Sequence, residues 1–147
     1  MQSTVTQQWV VMGLVWAEHL SVGNNLIDSE HKNLIVVVNS MEQAIGTKDH
    51  AALSKAFELF ATYMHIHLKN EEKIAVAINF PLIQIKLERM QLIHLIKYLE
   101  PKNAIWSKDL VDKYSVFLRD WMLDHIIRKD MQMKLVLKTY PYDFKPD

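Results

Sequence analysis

Three stretches of this 147-residue chain carry metal-ligating side chains at spacings that helices can bring together. His67 and Glu71 lie four residues apart, His125 and Asp130 five apart, and His31 sits far upstream in a third apolar-periodic segment. Side chains four apart on one helix project from nearly the same face, about 40° from one another. Imidazoles and carboxylates converging from several helices are the means by which bundles hold a cation. A single His–Glu pair is also an ordinary surface contact, whereas three segments each offering ligands are a much stronger sign. The chain has no cysteine, so disulfides, thiolate sites and cysteine nucleophiles are excluded, and any metal must sit on nitrogen and oxygen.

The elements that must position these residues read as helices. Half of the residues are apolar, with only three glycines and four prolines, which favours helix over sheet. Leu34, Val37, Val38, Met41 and Ile45 recur at helical spacing in a first helix over about 26–45, closed by Gly46-Thr47-Lys48-Asp49. Leu53, Phe57, Phe60, Met64, His67, Glu71 and Ile74 define a second over about 51–78. Asn79-Phe80-Pro81 ends it, because proline cannot continue a helix. A third covers about 82–99, with Ile83, Lys86, Leu87, Met90 and His94 along one side. A fourth starts near Ser107, a capping residue, and runs to about Leu137 through Leu110, Tyr114, Phe117, Leu118, Trp121, Leu123 and Ile126. The expected fold is all-α, an up-down-up-down antiparallel four-helix bundle with an N-terminal arm. One domain fills residues 1–147: arm 1–24, bundle about 25–137 and an extended tail 138–147 with two prolines.

Charge narrows the function further. Seventeen basic and seventeen acidic side chains cancel, which argues against broad capture of nucleic acid or of an anionic membrane. The apolar run Trp9–Ala17 is too short to span a bilayer, and no basic residue precedes it as in a signal peptide. The expected location is the cytoplasm.

With these residues in hand, the chain resembles the hemerythrins, particularly the bacterial single-domain forms. Trp16-Ala-Glu-His-Leu-Ser-Val-Gly23 and Ile27-Asp-Ser-Glu-His-Lys-Asn-Leu34 are similar to the family's arm and its first-helix ligand, which falls on His31. His67-Leu-Lys-Asn-Glu-Glu72 resembles the second-helix histidine with its bridging glutamate. Leu118-Arg-Asp-Trp-Met-Leu-Asp-His-Ile-Ile-Arg-Lys-Asp130 resembles the last-helix histidine with its bridging aspartate. The likeness covers about residues 14 to 135. It implies two bridged irons and reversible dioxygen binding, with metal ligands at His31, His67, Glu71, His125 and Asp130.

One departure weighs against that full set. Counted from Phe80, the two third-helix histidines of the family fall on Lys86 and Met90. The retained ligands therefore imply a degenerate, mononuclear site holding one iron per chain, with zinc or manganese as alternatives. Lys86 either replaces part of the missing cationic charge by pairing with Glu71 or Asp130 or carries its ammonium to water along its aliphatic stem, and Met90 is expected to fill core space. His94, one turn further on, is about 6 Å too far along to stand in as a ligand. His19, His50 and His65 read as surface residues. The expected function is metal binding, with dioxygen or a related small ligand in a carrier, sensor or storage role, and not an enzyme. A metal-free interaction module is the alternative, and a mononuclear iron enzyme acting on O₂, NO or peroxide ranks third. Protein partner and homo-oligomer stay open.

Overall fold

The computed structural model describes residues 14–99, 112–114, 120–122 and 124–147. Among them every regular element is helical and none is a strand. Helix α1 spans Asn25–Gly46 and α2 spans His50–Ala77. Each begins on a side-chain cap: Asn24 accepts from the Ile27 amide and Asp49 from the Ala52 amide. Each also ends on a left-handed residue, Lys48 at φ 55° and Asn79 at φ 58°. The backbone there closes the orphan carbonyls by two bonds per end, Asp49 to Ala44 and Lys48 to Ile45, then Phe80 to Ala75 and Asn79 to Val76. The breaks expected at Gly46–Asp49 and Asn79–Pro81 thus have a hydrogen-bonding basis.

Helix α3 spans Ile83–Leu99. Residues 112–114 are again helical. The chain then runs through a π-helical segment, Asp124–Lys129, a 3-10 segment, Asp130–Met133, and a last α-helical turn, α4, Lys134–Leu137. A single regular helix was expected from Ser107 to Leu137. Its start, together with Leu110, Phe117, Leu118 and Leu123, lies outside the described residues, and the described part shows α, π, 3-10 and again α pitch. No helix among the described residues is long and apolar enough to cross a membrane.

Two apolar clusters make the core. The first gathers Leu34, Val38 and Met41 of α1, Leu53, Phe57, Phe60 and Met64 of α2, Leu92 of α3, and Tyr114 and Met122. The second gathers Val22, Ile27, Ile74, Ile78, Ile85, Met133 and Leu137. In α1, α2, α3 and the stretch from Met122 to Met133 a polar side chain lies between members of the two clusters. His31 falls between Ile27 and Leu34, His67 and Glu71 between Met64 and Ile74, Glu88 between Ile85 and Leu92, and His125 and Asp130 between Met122 and Met133. The fold therefore holds one buried polar layer between two hydrophobic ones.

The orientation of α3 corrects the expectation. Ile83, Leu87 and Met90 are exposed, as are Lys86 and His94, and the buried face carries Ile85, Glu88 and Leu92. Residues two apart on a helix lie about 200° round from each other, so Glu88 inside places Lys86 and Met90 outside. The amphipathicity of α3 is weak because isoleucine and leucine occur on both sides, and period alone selected the wrong face.

Both ends of the described chain pack on α1. Asn39 exchanges two hydrogen bonds with the Leu14 backbone, each 2.8 Å, and Lys32 lies 4.3 Å from the centre of the Trp16 ring. The tail is turned and docked rather than extended. The Tyr142 hydroxyl donates to Asp28 at 2.9 Å, the Tyr142 carbonyl accepts from the Asn25 amide at 2.8 Å, and Phe144 and Tyr140 pack on the second cluster.

Candidate metal centre

His31 lies within the second turn of α1, which the Asn24 cap and the tail fix at its N-terminal end. His67 and Glu71 come from one face of α2 at the spacing that helical period demands. In regular α-helix His125 and Asp130 would diverge by about 140°. The π segment between them widens the turn to an i→i+5 repeat, so that both point inward. The change of pitch is thus what brings a five-residue spacing into the site.

The structure brings His31, His67, Glu71, His125 and Asp130 together, all buried, with one ligand-type atom from each lying within 4.8 Å of all the others. The Nε2 atoms of His31 and His67 are 3.2 Å apart, and those of His67 and His125 are 3.1 Å apart. Asp130 Oδ2 lies 2.5 Å from His31 Nε2, 3.0 Å from His125 Nε2 and 3.4 Å from His67 Nε2. Glu71 Oε2 is 2.9 Å from His67 Nε2, off the line a hydrogen bond needs, and 3.7 Å from His125 Nε2.

This crowding fits a cation better than a set of hydrogen bonds. A carboxylate oxygen offers two lone pairs, and here three imidazole nitrogens face the same one. His31 Nδ1, Glu71 Oε2 and Asp130 Oδ1 are buried without a hydrogen-bond partner among the described residues, which is costly for polar atoms removed from water. Bonds of roughly 2.1 Å at right angles around one ion put neighbouring ligands about 3.0 Å apart. Four of the seven separations given above, 2.9 to 3.2 Å, match that spacing.

Electrostatics follow from burial and from Asp130. Burial opposes charge on His31, His67 and His125. It prevails at His31, whose pKa is lowered despite the adjacent Asp130. At His67 the nearby Asp130, Glu30 and Glu71 outweigh it and hold the pKa well above the ordinary value. At His125 the charge and hydrogen bond of Asp130, the bond to Glu88 and the charge of Glu71 raise it to about 10. Burial, and then the Asp130 charge, push Glu71 up to about 8. Burial would also raise Asp130, but the His125 and His31 charges hold it well below the carboxylate range. Without metal, then, protons supply the positive charge of the centre.

Two carboxylates outside the expected set complete the geometry. Glu30 Oε1 accepts from His67 Nδ1 at 2.9 Å, and its other oxygen accepts from Asn70 at 2.6 Å. Glu88 Oε2 accepts from His125 Nδ1. The Trp121 ring stacks on His125, with planes 1° apart and centroids at 5.3 Å. Both escape a reading of the sequence alone: Glu30 adjoins His31 and Glu88 is the lone acid of the stripe Ile85-Glu88-Leu92, but neither stands at a ligand spacing. Lys86 points to solvent and does not reach Glu71 or Asp130, and Met90, 59% exposed, fills no core space. His19 and His65 are exposed and His50 is half-buried.

No protein-family model matches the chain. Among curated proteins it is similar to the bacteriohemerythrin of Pseudomonas aeruginosa, 26% identical over 119 residues, covering 80% of this chain and 76% of that one. It is also similar to the bacteriohemerythrin of Stenotrophomonas maltophilia, 23% identical over 132 residues, covering 89% and 86%. The hemerythrin-like protein of Naegleria gruberi is 25% identical over 122 residues, covering 83% and 92%.

Proposed function

The chain belongs to the hemerythrin family, and from that premise we propose that it is a metal-binding protein holding one iron per chain through His31, His67, Glu71, His125 and Asp130. The observation that carries this reading is the convergence of five ligand-type atoms within 4.8 Å. When bound, iron there supplies a redox-active centre at which dioxygen or a related small molecule can be held, in a carrier, sensor or storage role. Nitrogen and oxygen ligands also suit zinc or manganese.

The residues divide the work among themselves. The three imidazoles offer neutral nitrogen, and Glu71 and Asp130 offer the negative charge that offsets a divalent cation. Glu30 takes the Nδ1 proton of His67, which leaves Nε2 free to ligate. The apolar clusters on either side restrict water and strengthen every charge interaction between them. Helix α3 contributes no histidine to this layer, so the reading is of one ion rather than two. An up-down-up-down order of helices, with the segment before α1 as an arm, completes it.

Anaerobic loading with Fe(II), followed by elemental analysis and an absorption spectrum before and after air, tests the proposal. Iron retained by the wild type and lost from His67→Ala is the expected result. A folded wild type that retains no iron, zinc or manganese contradicts it and leaves a metal-free helical module.

A further inference from the structure

Glu88 is the only acidic residue of α3, and it is 1% exposed. Its neighbours on the same helix face are Ile85 and Leu92, one from each apolar cluster. A carboxylate in that setting is expensive unless a partner satisfies it. The partner is His125, whose Nδ1 donates to Glu88 Oε2. Trp121 lies flat against the same imidazole. The ring is therefore held at one edge and over one face, and its remaining nitrogen, Nε2, is 3.0 Å from Asp130 Oδ2 and 3.1 Å from His67 Nε2.

An imidazole whose Nδ1 proton is committed to a carboxylate presents a lone pair at Nε2, and its tautomer and direction are both fixed. We propose that Glu88 is a positioning residue through which α3 serves the metal centre: it supplies an orienting carboxylate in place of a ligand and aims His125 Nε2 at the ion held by His31, His67, Glu71 and Asp130. The inference rests on the metal-centre reading above. It assigns to α3 a role that neither Lys86 nor Met90 can fill from the solvent side of the helix.

Two variants of near-equal volume separate positioning from packing. Glu88→Gln keeps an oxygen that can accept from Nδ1, whereas Glu88→Met fills the space with no such acceptor. Co(II) affinity, measured by chelator competition on the folded proteins, should fall roughly tenfold or more in Glu88→Met and much less in Glu88→Gln. The Co(II) absorption bands should shift in the methionine variant and be restored in the glutamine one. In proton–nitrogen NMR of the metal-free protein, the Nδ1 proton of His125 should give an exchange-protected, downfield resonance in the wild type that Glu88→Met loses. Affinity and bands unchanged within twofold in Glu88→Met, with only its urea midpoint moved, would overturn the role while leaving the metal centre intact. A wild type that binds neither Co(II) nor Fe(II) would overturn the metal-centre reading, and this inference with it.

Discussion

Asp130 is the residue on which the polar layer turns, because one of its oxygens faces all three imidazoles. Removing its charge leaves cationic His67 and His125 with nitrogens 3.1 Å apart in a site closed to water. Breaking a buried charge pair from one side costs about 3–5 kcal/mol. Asp130→Asn should therefore lower metal-free stability on that order, read by urea unfolding, and should weaken Fe(II) binding as well. A loss below about 1 kcal/mol would show that His31, His67 and His125 do not depend on this carboxylate. The five ligand positions were legible in the sequence because their chemistry is written in residue type and flanking match. Glu30 and Glu88 were not, because an acid that accepts from the far nitrogen of a ligand has no spacing rule of its own.

At the scale of elements, the ends of α1 and α2 were legible and the face of α3 was not. Caps and left-handed stops depend on local residue types, Asn24, Asp49, Lys48 and Asn79, which act within a turn. Which side of α3 is buried depends on contacts that no local pattern contains: Glu88 reaching His125, and Ile85 and Leu92 each joining a different cluster. The π segment was hidden for a related reason, since a five-residue spacing of His and Asp reads as divergent in regular helix. The orientation of α3 makes a direct prediction. Leu92→Ala should cost about 2–5 kcal/mol, as a buried leucine does, while Met90→Ala and Lys86→Met should each stay within about 0.5 kcal/mol. Denaturant midpoints measure all three. A Met90→Ala loss as large as that of Leu92→Ala would reverse the assigned face.

At the scale of the molecule, the two apolar clusters isolate a layer whose positive charge comes from protons when metal is absent. His125, raised from 6.5 to about 10, contributes stability that is complete below 6.5 and is lost as pH rises through about 10. Glu71, raised from 4.5 to about 8, contributes fully below 4.5 and loses it as pH rises through about 8. Asp130, held well below 3.8, acts in the opposite direction, contributing above 3.8 and losing it only as pH falls through its depressed value. The metal-free protein should accordingly lose stability between about pH 6 and pH 9. A bound cation displaces those protons, so its stabilisation should grow with pH over the same interval. Thermal unfolding of metal-free and loaded protein at both pH values checks this, and a gap that narrows toward pH 9 would contradict it. The most direct test of the central claim is an anaerobic calorimetric titration of the metal-free chain with Fe(II). The convergence of all five ligands on one point predicts a single equivalent per chain, with proton release. Two equivalents of comparable affinity would contradict it and require a second set of ligands.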